Sequence, residues 1–200
     1  MRICVYAASS AQVHPEFQTA AFALGERIAQ AGHSLVYGGG STGLMGAVAE
    51  GALTHGGEVI GILPKFMADL EWGHPGLTEL QLVEDMRERK HRLLTDSDAV
   101  VALPGGCGTL EELFEAITLK RLGIYFNPIV LLNSRNYYQP LQTFMQQVID
   151  LVNAGADFDG RIQKSGRAYD LFHHHATGFF QFIIAGGCGN IDRLVQQGFK

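Results

Sequence analysis

The chain lacks an excess of positive charge, a long apolar run and a cysteine framework, and each lack removes a class of function. Its 15 basic residues stand against 20 acidic ones, giving a net charge of −5 and a pI near 5.9. Binding to nucleic acid calls for a basic face, so no nucleic-acid partner is expected. No apolar stretch approaches the roughly 20 residues of a spanning helix, so no membrane association is expected either. The opening Met1-Arg2-Ile3-Cys4-Val5-Tyr6 reads as a strand and is too short for a signal-peptide core. Cys4, Cys107 and Cys188 are far apart, odd in number and not spaced as zinc ligands. Reduced thiols and a cytoplasmic location are the simplest expectation. What is present is apolar mass: 46% of 200 residues are hydrophobic, enough for one substantial core.

Strand-like and helix-like segments alternate through most of the chain. Strands are predicted at 3–7, 34–37, 59–63, 79–83, 99–103 and 129–132. Helices are predicted at 15–30, closed by Gly32, and at 44–54, 85–95, 109–122 and 138–152. Apolar strands joined by helices imply a parallel sheet covered on both sides. The expected fold is a doubly wound, mainly parallel, Rossmann-like α/β domain over 1–152, with ligands beyond the carboxyl ends of the strands. Residues 153–200 break the rhythm and read as a divergent extension of unknown role. They hold the tract His173-His174-His175, a lone apolar run at 179–185 and a strand–turn–helix echo at 185–194. The histidine tract reads more readily as surface than as a native metal site.

The most informative stretch is Val100-Val101-Ala102-Leu103-Pro104-Gly105-Gly106-Cys107-Gly108-Thr109-Leu110-Glu111-Glu112-Leu113-Phe114-Glu115. An apolar strand ends in a glycine turn, and a hydroxyl and three carboxylates open a helix. Glycines let backbone N–H groups close on a phosphate, and the helix end favours its charge. The carboxylates repel an anion, so they make sense if the phosphate is a handle and a carboxylate works elsewhere on the ligand. A competing reading of Thr109-Leu110-Glu111-Glu112 is a capping box, in which the last carboxylate returns to the first amide. Cys107 as a nucleophile would need a partner base, and no nearby histidine is evident in the sequence.

Gly38-x-Gly40-x-x-Gly43 matches the dinucleotide fingerprint in form. The acid that should hold a ribose at the far end of the next strand is missing, because Glu58 lies at the strand's start. Contact with a phosphate or ribose, or a tight turn, fits this loop better. In Arg87-Glu88-Arg89-Lys90-His91-Arg92, most charges read as a solvated face. Arg89 and Lys90 differ if they point to the strand ends, where a guanidinium could hold a phosphate or hydroxyl.

Pro104-Gly105-Gly106-Cys107-Gly108-Thr109-Leu110-Glu111-Glu112 matches the PGGxGTxxE signature of the LONELY GUY family, the cytokinin riboside 5′-monophosphate phosphoribohydrolases once labelled lysine decarboxylases. Val36-Tyr37-Gly38-Gly39-Gly40, Gly43-Leu44-Met45-Gly46, Glu71-x-x-His74-x-x-Leu77, Arg89-Lys90 and Tyr137-Tyr138 fall in the family's order, over roughly residues 1–150. The resemblance implies that Arg89 and Glu112 are catalytic. It further implies nucleotide contacts from Glu71, Lys90, Gly105, Gly106, Cys107, Gly108, Thr109, Leu110, Glu111 and Thr118. Glu115, Ser9 and the loop glycines Gly39, Gly40 and Gly43 join them as candidate substrate contacts. A homodimer is implied, with no metal and no cofactor. The chain departs from the family at Ala7-Ala8-Ser9-Ser10, Met86-Arg87 and Thr118-Leu119-Lys120-Arg121.

The expected reaction is hydrolysis of the N-glycosidic bond of a purine nucleoside 5′-monophosphate to free base and ribose 5-phosphate. Arg89 would orient the sugar or a phosphate oxygen, and Glu112 would act as nucleophile, base or electrostatic stabiliser. The alternative is a non-catalytic carrier of a nucleotide or of molybdenum cofactor on the same scaffold. A pyridoxal-dependent decarboxylase would need a Schiff-base lysine, and Lys65, Lys90 and Lys120 have no such context.

Overall fold

The computed structural model describes residues 1–68, 73–154 and 183–185. Four strands, β1 (Arg2–Tyr6), β2 (Ser34–Tyr37), β3 (Val59–Pro64) and β5 (Ala99–Ala102), are buried almost throughout. Their alternate side chains feed two cores. Ile3 and Val5 point into one with Leu24, Ile28 and Val48, while Cys4 and Tyr6 point into the other with Leu93, Leu113 and Ile117. Apolar on both faces, such strands are stable only between two helical layers. Strand β4 (Glu79–Val83) is mostly exposed and lies at one edge, and β6 (Ile129–Leu132) is buried.

The sheet is parallel throughout, in the order β4-β3-β2-β1-β5-β6-β7. Six of these strands coincide with the sequence expectation to within a residue at either end. The seventh, β7 (Ile183–Ala185), pairs with β6 and comes from the segment that the sequence sets apart as an extension. Three residues are too few for alternation to mark as a strand. Glu71, the histidine tract and nearly all of the 185–194 echo lie outside the described residues.

On one side, α1 (Pro15–Gln30) crosses α2 (Gly43–Leu53) at backbone contact. A Cβ on Gly25 would collide with the Val48 carbonyl, and one on Gly51 with that of Phe22. A short α3 (Lys65–Ala68), unforeseen in the sequence, follows β3. Helices α4 (Met86–Thr95) and α5 (Cys107–Arg121) cover the other face, and α6 spans Gln139–Ala154. Chain order reverses between β1 and β5, which pair through Cys4 with Val100 and Tyr6 with Ala102. The loops leaving adjacent strands on opposite sides of such a switch point leave a crevice between them.

Candidate active site

A cavity of about 700 Å³ occupies that crevice. Its walls are the loop after β1 (Ala7, Ala8, Ser9, Ser10), the loop after β2 (Gly38, Gly40, Ser41, Thr42) and the first turns of α5. Arg89 and Glu112 form the floor. Arg89 leaves the first turns of α4 and Glu112 the second turn of α5, and their side chains are 9% and 10% exposed. The Arg89 Nη1 donates to Glu112 Oε1 at 2.5 Å, and its Nε donates to the Ile62 carbonyl at 3.1 Å. Burial pushes the Glu112 carboxyl above its ordinary range, against the pull of the adjacent Arg89. The result is a carboxylate out of bulk water, with one cation beside it and open space above it.

The capping box that competes for Thr109 and Glu112 in the sequence does not form. Helix α5 begins two residues earlier, with Gly106 as N-cap and no side-chain cap bond. Thr109 is therefore in the first turn, buried against Gly105, and Glu112 is a turn further on, freed from any capping duty. Glycines carry no capping side chain, so only hydroxyl and acid spacing was visible in the sequence, and it pointed two residues too late. A side-chain cap stands instead on α4, where Asp85 accepts from the Glu88 amide at 2.8 Å and the Glu88 carboxylate accepts from the Glu84 amide at 2.9 Å. It fixes the helix that carries Arg89.

The two glycine loops differ in what their helix ends have left to offer. At α2, Gly43 has φ +64°, and a Cβ there would lie 2.5–2.7 Å from the backbone of Ala8, Ser9 and Ser10. That approach lets the amides of Leu44 and Met45 donate to the Ala8 carbonyl at 2.9 and 3.2 Å, and the Thr42 hydroxyl donate to the Ser9 carbonyl at 2.7 Å. The α2 end is thus closed by the protein itself. At α5, the amides of Cys107, Gly108 and Thr109 have no acceptor among the described residues, and all three residues face the cavity. Unsatisfied first-turn amides are what an anion binds.

Gly40 lines the cavity and Ser9 its rim, whereas Gly39 lies behind them, its carbonyl accepting from the His74 amide at 2.8 Å. Glu111 lines the mouth and is held by Lys90, which also pairs with Glu115 at 2.9 Å. Hydrogen bonding to Glu111, then to Glu115, raises the Lys90 pKa. Gly105 and Leu110 sit behind the wall. Leu110 packs into the second core, and the Gly105 carbonyl accepts from the Tyr137 hydroxyl at 2.6 Å. Thr118 is three turns along α5, outside the cavity, its hydroxyl donating to the Phe114 carbonyl. Glu58 is bound to Ser34 at the far end of the sheet, so the dinucleotide fingerprint has no ribose acid.

Sequence reasoning gave no role to the apolar wall of Leu63, Met45, Met67 and Met86. Its only signal was position, since Leu63 lies at the carboxyl end of β3 and the three methionines lie in the first turns of α2, α3 and α4. Tyr137 and Tyr138, which brace the turn after β5 by donating to Gly105 and Leu103 at 2.6 Å each, also went without a role.

Residues 45–158 match the family described as possible lysine decarboxylase. The chain is 45% identical over 150 residues to cytokinin riboside 5′-monophosphate phosphoribohydrolase LOG7 of Arabidopsis thaliana, covering 74% of this chain and 69% of that one. The chain belongs to the LONELY GUY family. A probable enzyme of the same name from rice, Oryza sativa subsp. japonica, is 46% identical, covering 70% of this chain and 63% of its own length. Among solved structures, the Moco carrier protein of Chlamydomonas superposes with a TM-score of 0.56 at 25% identity, covering 72% of this chain and 82% of that one. The molybdenum cofactor binding protein of Rippkaea orientalis gives 0.53 at 26%, covering 66% and 74%.

The decarboxylase description finds no support in the described lysines. Lys65 is paired with Glu84 at the surface, Lys90 is held protonated by two carboxylates, and Lys120 donates to the carbonyls of Phe126 and Asn127. None of them lines the cavity.

Proposed function

We propose that this protein hydrolyses the N-glycosidic bond of N6-substituted adenosine 5′-monophosphates, the cytokinin riboside 5′-monophosphates, to free base and ribose 5-phosphate. The observation that carries the reading is a buried carboxylate facing a cavity whose rim offers the open helix end of α5. The 5′-phosphate sits on the amides of Cys107, Gly108 and Thr109, which fixes the ribose in register over Glu112. As the bond from C1′ to the base nitrogen lengthens, the sugar takes on oxocarbenium-like positive charge. An ionised Glu112 stabilises that charge, as carboxylates do in glycosidases. Water adds to C1′, the bonding pair leaves with the base, and the proton lost by water balances the one the base takes up.

The carrier reading shares the fold but leaves Glu112 without a task. Its support is weaker also because relatives at 42–46% identity bear the hydrolase name, whereas the carriers match at 25–29%. Residues 1–152 would form the nucleotide-hydrolase unit, with 153–200 an extension to it, working in the cytoplasm without metal or cofactor. Glu71 and Thr118 would be further nucleotide contacts. The exposed Leu122, Ile124, Phe126 and Phe144, 58–79% accessible, support a homodimer that would cover some of them. Chromatography of the purified protein with AMP and with N6-isopentenyl-AMP tests the reading. Release of free base and ribose 5-phosphate is the expected result, and tight binding without release would favour the carrier.

A further inference from the structure

We propose that Gly38 is a positioning residue: its missing side chain seats the Arg89 guanidinium, and through it Arg89 serves the reaction by fixing Glu112. The inference rests on the hydrolase reading for its kinetic consequences, though not for its geometry. Two of the three guanidinium nitrogens of Arg89 donate inside the protein, and the third is placed by the space at Gly38. The Nε donates to the Ile62 carbonyl, the Nη1 donates to Glu112, and the Nη2 lies against Gly38. A Cβ at position 38 would overlap Nη2 outright and would approach Arg89 Cζ to 3.3 Å and Met45 Sδ to 3.2 Å. Gly38, unlike Gly39 and Gly43, is not in the left-handed region, so its backbone conformation is open to alanine. What excludes alanine is the guanidinium.

The obstructing atom ends a flexible side chain, so an alanine would displace Arg89 and leave the fold standing. Glu112 would then keep its burial and lose its nearest cation. The other titratable groups facing it cannot compensate. Glu111 repels it, Lys90 is committed to Glu111 and Glu115, and Cys4 and Tyr6 are held neutral by burial. Less of the carboxylate would be ionised at a given pH.

The test is a cycle of Gly38→Ala and Arg89→Lys in the full chain, since lysine has no counterpart of Nη2. Two readouts are needed: carbon NMR titration of Glu112, and kcat and KM for N6-isopentenyl-AMP. Gly38→Ala should move the Glu112 midpoint upward and cut kcat by about tenfold or more, with KM within about threefold. On the Arg89→Lys background the same alanine should change kcat less than about twofold and leave the midpoint in place. Equal losses in both backgrounds, an unmoved midpoint, or a raised KM with kcat intact would overturn the proposal. If the wild type releases no base, the hydrolase reading fails and the titration alone decides. If Gly38→Ala does not fold, folding must return on the Arg89→Lys background, and its failure there sinks the idea.

Discussion

Replacing Glu112 by glutamine removes one charge and almost no volume. The amide oxygen can still accept from Arg89 Nη1, which lies 2.5 Å from Glu112 Oε1, so the hydrogen-bond geometry survives while its charge assistance is lost. Deleting a partner from a buried ion pair costs about 3–5 kcal/mol, and keeping the acceptor reduces that to about 1–3 kcal/mol. Against a typical stability of about 5–15 kcal/mol, the variant stays folded at 25 °C. Catalysis has no such cushion. A preorganised charge facing a developing oxocarbenium is worth about 3–5 kcal/mol, so hydrolysis should slow by about 10²–10⁴.

The assay is base release from AMP and N6-isopentenyl-AMP, followed by chromatography beside a thermal melt and a nucleotide-binding titration. Phosphate contacts come from backbone amides in this account, so binding should change by less than about threefold. A folded, nucleotide-binding variant that keeps its rate within about tenfold of the parent would refute the assignment of Glu112. Loss of binding together with rate would instead move Glu112 into the phosphate site.

The acid limb of the pH–rate profile should lie above the ordinary carboxylate range, because burial raises the Glu112 pKa and an ionised group is required. Rate should therefore fall as pH drops through that raised value, and Glu112→Gln should abolish the limb. The stability linkage has the opposite sense: the folded state holds the Glu112 proton more tightly, so this group's contribution to stability is lost as pH rises through its folded pKa, which urea melts of wild type and Glu112→Gln would detect. Gly43→Ala forces a Cβ into the backbone of the loop after β1 at a φ of +64°, and should cost about 1–3 kcal/mol or more in chemical denaturation. Cys107→Ser keeps the backbone amide that does the binding, so kcat and KM should both stay within about threefold, whereas a thiol nucleophile would show a loss of several orders.

Sequence pattern went furthest where burial is two-sided. Val100-Val101-Ala102 and Ile129–Leu132 have helices above and below, so nothing but apolar side chains fits and the strands declare themselves. It failed where glycine does the work of a side chain. The start of α5 at Gly106 leaves no capping residue to read, and the hydroxyl of Thr109 drew the boundary inward. The pairing of Arg89 with Glu112 crosses 23 positions and two helices, a relation that only the packed fold creates. The family resemblance named both residues, yet their mutual contact was in neither motif. Gly38 was read only as part of a loop for phosphate or ribose contact or a tight turn, because its closeness to Arg89 depends on where the end of a distant side chain comes to rest.

The inequality of the two glycine loops favours one placement of the proposed substrate over the other. In sequence, both loops were candidates to contact a phosphate, the loop at 38–43 also for a ribose contact or a tight turn. The Ala8 carbonyl takes the Leu44 and Met45 amides, so an anion at α2 would have to displace bonds already made, at a cost of order 1 kcal/mol each. At α5 the amides have only water to lose. On the proposed reading, the phosphate would sit at Cys107–Thr109, the ribose above Glu112, and the base against the cavity wall of Leu63, Met67 and Met86. Thioether side chains adapt to ring edges and aliphatic chains alike, so this wall accepts a substituted purine without specifying one. The proposed chemistry would then be held on helix turns, while the wall offered to the variable end of the substrate consists of side chains that adapt.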